Sequence, residues 1–154
     1  MPTLLLFTSP PRAFFMHTID LTALERCLGT LRRAQARLVV TDAADADHDL
    51  FRAACVKEFE LILEIVVKLL RRVLAEYVTA TRELANMPFK HILRLAAQHG
   101  LLSLDEVDRW LVHRDNRNTS AHEYGIQFAE KIISHLPVFI SDTEAVLTTL
   151  RKQD

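Results

Sequence analysis

The sequence predicts an all-α fold, an up-and-down bundle of four or five helices, and three observations carry that prediction. The hydrophobic share is 49% with three Gly and five Pro in 154 residues, so turn-forming residues are scarce. Leu, Ala, Arg and Glu, all tolerant of helices, recur throughout instead. Apolar residues return at three- and four-residue intervals, as one helix face requires. Helix start and stop signals separate these stretches. A chain of this length fits one domain, able to bury roughly two thirds of its unfolded surface without disulfide or metal staples.

Residues 1–17 stand apart from the pattern. Leu4, Leu5, Leu6 and Phe7 precede Ser9, Pro10 and Pro11, followed by Phe14, Phe15 and Met16. No cationic region leads the apolar run and it is too short to span a bilayer, so it reads as neither signal peptide nor anchor. Two readings stay open: the biological start is Met16, or the stretch is an arm packed on a neighbour. The helical domain is taken as residues 18–154.

The first helix is expected near Thr22, which has capping-box spacing to Glu25, with Leu21, Leu24, Leu28, Leu31 and Leu38 as its buried stripe. Thr41 to Asp49, with four Asp and no apolar period, reads as a solvated connection. The second helix should run from about Asp49 to Tyr77 or slightly beyond. One stripe holds Phe59, Ile62, Leu63, Val66, Leu70, Val73, Leu74 and Tyr77; another holds Leu61, Ile65 and Leu69. Two stripes need two partners, which puts this helix at the bundle centre or against a second subunit. Glu64 and Lys68 are spaced to pair across one turn of the wet face.

Asn86, Met87 and Pro88 mark a break, and the next helix buries Phe89, Ile92, Leu93 and Ala96 before stopping at Gly100. Ser103 with Glu106 forms a second capping box, opening a helix that turns Val107, Trp110 and Leu111 inward. The last helix carries Phe128, Ile132, Ile133, Leu136 and Ile140, with a bend expected at Pro137. A restart over Ser141 to Glu144 would lead it to Leu147 and Leu150.

A net charge of −1 argues against a protein that coats nucleic acid through global charge, while leaving room for a local cationic patch. Lys68, Arg71, Arg72, Lys90, Arg94, Arg109 and Arg114 would form a rim if some converge; each alone reads as part of a solvated face. Glu60 and Glu64 read as ordinary charge-pair members. Cys27 and Cys55 read as reduced core thiols. His91, His99, His113 and His135 lack metal-ligand spacing and read as core or surface residues. No metal or cofactor is expected.

One segment departs from the packing pattern. Residues 113–125 read HRDNRNTSAHEYG, with Ala121 as the single aliphatic residue among groups that donate, accept or transfer protons. Helix connections are usually polar, which is the bland reading. Arg117 and His122, five apart, would diverge by roughly 140° on one regular helix. They suit a helix terminus, or a site where two copies of the segment meet.

The pattern Arg117, four residues, His122, one residue, Tyr124 resembles the HEPN domains, and within them the HepT-like toxins encoded beside a minimal nucleotidyltransferase. The likeness extends over about residues 18–150, including the long helix around KEFELILEIVVKLLRRVL and the stretch before the motif with Trp110. It implies a homodimer with a composite site, and a metal-independent RNase in which His122 moves the proton and Arg117 stabilises the phosphate. Asn118, Asn116 and Arg114 would support the site, with helix capping favoured for Asn116. Tyr124 would be the acceptor on which the cognate nucleotidyltransferase antitoxin places AMP, in a cytoplasmic toxin-antitoxin pair. Two other readings compete: a non-catalytic nucleotide- or substrate-binding subunit of a two-component nucleotidyltransferase, and a helical dimerisation scaffold without ligand.

Overall fold

The computed structural model describes residues 18–118 and 125–153, with Asn118 described by its backbone alone. Residues 1–17, including the arm and the alternative start at Met16, lie outside the described residues. Six α-helices and no strand occur among the described residues: α1 (Thr22–Val40), α2 (Ala46–Leu74), α3 (Thr81–Asn86), α4 (Phe89–Gln98), α5 (Leu104–Asn118) and α6 (Gly125–Arg151). The extra element beyond the four or five expected is α3, a six-residue helix that buries only Leu84. It is too short to show an apolar period.

α2 touches every other helix and forms the axis of the bundle. Its own chain therefore covers most of both stripes: Phe59, Ile62, Leu63, Val66, Leu69 and Leu70 are buried, and Leu61 and Ile65 stay half-buried. α6 runs antiparallel to α1, because Glu25 near the start of α1 pairs with Arg151 at the end of α6, while Arg32 pairs with Glu144. Phe59, Trp110 and Phe139 fill the middle, with the Phe59 and Phe139 rings 4.6 Å apart. Such tilted aromatic contacts add to the burial that holds α2, α5 and α6 together.

Several helix ends depart from expectation for local reasons. The Thr22/Glu25 capping box does not form: Asp20 Oδ1 accepts from the Thr22 N–H at 2.9 Å, and Glu25 turns to Arg151 instead. A carboxylate two residues upstream reaches that open donor first. α2 opens earlier than Asp49, at Ala46, because Asp45 takes the N-cap and accepts from Asp47 N–H at 2.9 Å. It also closes earlier, so Tyr77 lies past its end, half-exposed, donating its hydroxyl to Gln153 Oε1 at 3.0 Å. α6 continues through Pro137 with no restart at Ser141. Glu64 pairs with Arg117, a contact the Lys68 pairing did not anticipate.

Other signals act as the sequence reads. Glu106 Oε2 accepts from Ser103 N–H at 2.7 Å and Ser103 Oγ from Glu106 N–H at 3.1 Å, both arms of a capping box that fixes where α5 begins. Gly100 has φ +75°, which only glycine adopts cheaply, and it lets Leu101 N–H reach back to Ala96 carbonyl at 2.9 Å to end α4. Both cysteines are free, and burial pushes the thiols of Cys27 and Cys55 up to about 11. Among the described residues no helix is long and apolar enough to cross a membrane.

Candidate functional site at the end of α5

The polar segment is divided by the fold. Its first half, His113 to Asn118, forms the last turns of α5, and Gly125 opens α6. His122 and Tyr124 fall in the connection between the two helices, outside the described residues. Arg117 occupies the last turn of α5, and its Nη2 donates to Glu64 Oε1 at 3.1 Å across a contact 40% and 48% exposed on its two sides. That exposure makes the pair weak and replaceable. Arg114, one turn earlier, lies over the Phe89 ring at 4.8 Å, a cation–π contact that anchors its guanidinium. Both arginines line one groove between α2, the start of α4 and α5, which Arg71 also enters.

Asn116 has a different place from the capping role expected of it. It is buried inside the last turn of α5, and its Nδ2 has no hydrogen-bond partner among the described residues. A helix that continues to Asn118 leaves no cap to make at 116. The side chain of Asn118 lies outside what is described.

Sequence reasoning missed the polar cluster behind these residues. Asp142 of α6 is buried and accepts two bonds from α5: Arg109 Nε donates to Oδ1 at 2.8 Å and His113 Nε2 donates to Oδ2 at 2.8 Å. The ionised carboxylate only accepts, which fixes the proton of His113 on Nε2. Trp110 and Phe139 meet the His113 ring edge-on at 5.4 and 5.0 Å. A signal was available: Asp142 sits between Phe139 and Val146 at a core register of α6, where an unpaired carboxylate would be costly. Of the six basic residues besides Arg114 expected as candidates for a rim, Arg109 is thereby committed to structure.

Burial lowers the pKa of His113 from its ordinary value near 6.5, outweighing the upward pull of Asp142; His135 and Arg109 push it further down. The folded chain thus keeps the ring neutral where the unfolded chain takes up a proton. Stability from this site is fully present above the unfolded value and is lost as pH falls through the folded one. We expect the urea midpoint to drop as pH falls below about 6.5, and to drop less in His113→Gln, with unfolding followed by circular dichroism. Parallel pH profiles for the two proteins would refute this origin.

Among the described residues no three His, Cys, Asp or Glu side chains gather to hold a metal ion. What the described part of the site offers is a cationic groove lined by Arg71, Arg114 and Arg117.

The profile of a family described as nucleotidyltransferase substrate binding protein like matches residues 19–152. A protein of Haemophilus influenzae described as a probable ribonuclease HepT is 27% identical over 107 residues, covering 70% of this chain and 72% of the relative. The fold resembles that of a Haemophilus influenzae protein whose structure is described as revealing a substrate-binding domain of a nucleotidyltransferase. The TM-score is 0.74 at 23% identity, over 86% of this chain and 99% of the other. The crystal structure of a Thermus thermophilus protein superposes with a TM-score of 0.62 at 27% identity, over 83% of this chain and 98% of the other.

Proposed function

The chain belongs to the nucleotidyltransferase substrate binding protein like family, and from that membership we propose that it is a metal-independent endoribonuclease. In this reading it is the toxin of a cytoplasmic HEPN/MNT (type VII) pair, neutralised by a cognate minimal nucleotidyltransferase antitoxin. The observation that carries the reading is the position of Arg117: a half-exposed guanidinium on the last turn of α5, in a groove with two further arginines, immediately before the connection bearing His122 and Tyr124. The name of the Haemophilus influenzae relative points the same way.

The chemistry follows from the residue types. The ribose 2′-oxygen attacks the adjacent phosphorus while His122 takes its proton, and the bond from phosphorus to the 5′-oxygen breaks. Protonation of that leaving oxygen completes a 2′,3′-cyclic phosphate and a 5′-hydroxyl. In a homodimer, His122 of the partner subunit supplies this second proton. Arg117, always charged and with a planar fork of donors, stabilises the crowded phosphate. Asn118 orients it, Arg114 holds the flanking strand, and Asn116 supports α5 from within.

Tyr124 is the control point of this proposal. Its phenolic oxygen attacks the α-phosphorus of ATP on the antitoxin, pyrophosphate leaves, and the bound AMP sets bulk and negative charge beside Arg117 and His122. The test begins with intact-mass measurement to obtain protein free of adenylate. With EDTA present, the wild type should cleave tRNA or messenger RNA and His122→Ala should be slower by about 10²–10⁴-fold. Equal rates for both proteins would sink the role of His122.

A second reading, a non-catalytic subunit that holds nucleotide for a nucleotidyltransferase, is favoured by the description of the Haemophilus influenzae structure. Verified unmodified protein that binds nucleotide and leaves RNA intact would select it.

A further inference from the structure

Four arginines of this chain are committed to carboxylates away from the end of α5. Arg109 is held by Asp142, Arg52 by Asp49, Arg32 by Glu144 and Arg151 by Glu25. Arg71, Arg114 and Arg117 instead line one groove of about 270 Å³ between α2, α5 and the start of α4, with Glu64 the single carboxylate on its walls among the described residues. Three positive charges against one negative make this groove cationic on a chain whose net charge is −1. Another groove on α2, beside Gly125, sets Arg52 and Lys57 against Asp49 and Glu60, so its charges cancel. Three converging guanidinium groups give this groove the charge of a local anion site.

Each arginine is also braced. Arg71 Nη2 donates to the Met87 carbonyl at 2.8 Å, tying it to the turn before α4, and its Nε is buried without a partner among the described residues. Arg114 rests on Phe89, which is only 8% exposed, so the ring is closed to a stacking base and the guanidinium is what a ligand meets. A guanidinium already anchored over a ring loses less freedom when it takes a phosphate. Arg117 is tethered to Glu64, whose carboxylate stands where a phosphate would compete.

The geometry points to this groove as a backbone subsite for single-stranded RNA, resting on the RNA-cleaving reading above. Arg71 and Arg114 bind phosphodiesters that flank the one at Arg117, and Glu64 occupies Arg117 until RNA displaces it. Contacts to phosphate alone carry no sequence preference, so the groove holds the strand in register without choosing it.

The probe is a short fluorescent single-stranded RNA with 2′-O-methyl riboses, which binds without cleavage through the 2′-oxygen. Anisotropy titrations over a range of salt use the unmodified full chain. Arg114→Ala and Arg71→Ala should each weaken binding by about 3–10-fold and lower the slope of log affinity against log salt by about 0.7. Glu64→Gln should bind more tightly, and Arg33→Ala should bind as the parent does. Arg71→Ala removes a bond to backbone at Met87, so Arg114→Ala and Glu64→Gln keep the test decisive if that variant unfolds. Unchanged affinity and slope in Arg114→Ala, or unchanged affinity in Glu64→Gln, would overturn the subsite. So would complete displacement of the RNA by AMP with no difference in salt slope, which would mark a mononucleotide site. Cleavage of ordinary RNA by the parent is scored separately: cleavage without the binding defects rejects the subsite alone, and the defects without cleavage reject the RNase reading alone.

Discussion

Asp142→Ala is expected to cost about 1–3 kcal/mol of folding free energy, the penalty of an unsatisfied buried donor, seen as a lower midpoint in urea at neutral pH. Asp142 is 5% exposed and accepts from both Arg109 and His113. Alanine leaves the buried His113 with neither ring nitrogen served by a described residue, since Nδ1 already lacks a partner. Asp142→Asn keeps the shape and one acceptor, so its cost should be smaller, about 1–2 kcal/mol. Replacing both Asp142 and His113 with leucine should recover part of the loss, because apolar substitutes for a whole buried network can be neutral or stabilising. An unchanged midpoint in Asp142→Ala would show that the cluster contributes nothing to the union of α5 and α6.

Arg117→Ala should behave in the opposite way. Its pair with Glu64 is half-exposed, and exposed pairs are worth about 0–1 kcal/mol, so the thermal midpoint should hardly move. Cleavage should fall by about 10²–10³-fold, the loss typical of one aimed electrostatic donor. Arg117→Lys should restore only part of the rate, because ammonium lacks the planar fork that meets two phosphate oxygens. Full cleavage by Arg117→Ala would remove Arg117 from the chemistry.

These two outcomes separate what the sequence makes visible from what it conceals. The capping box at Ser103 and Glu106 and the stop at Gly100 were legible because each rests on residues within one turn of one another. The stripe of Phe59, Ile62, Leu63 and Val66 was legible because period alone identifies a buried face. Asp142 was concealed by its neighbours: Ser141 and Glu144 mimic a helix start after Pro137, whereas α6 runs on and turns the carboxylate inward. Its partners lie 29 and 33 residues away, a separation no local pattern encodes. Thr22 misled for a smaller reason, since Asp20 was the stronger acceptor for the same N–H.

The candidate site shows the same division. The spacing of Arg117, His122 and Tyr124 was a sequence signal, and of the three only Arg117 lies among the described residues. Which of the scattered basic residues converge was not legible, because that depends on how α2, α4 and α5 meet. The fold selects Arg71 and Arg114 and assigns Arg109 to the interior. The homodimer expected from the two stripes of α2 now rests on the proposed composite site, since the chain's own helices cover most of that surface.

The most direct test of the central claim is to identify the RNA ends left by adenylate-free protein in EDTA. The account predicts a 2′,3′-cyclic phosphate on one fragment and a 5′-hydroxyl on the other, the products of attack by the ribose 2′-oxygen. Intact RNA, or fragments ending in 3′-hydroxyl and 5′-phosphate, would contradict it.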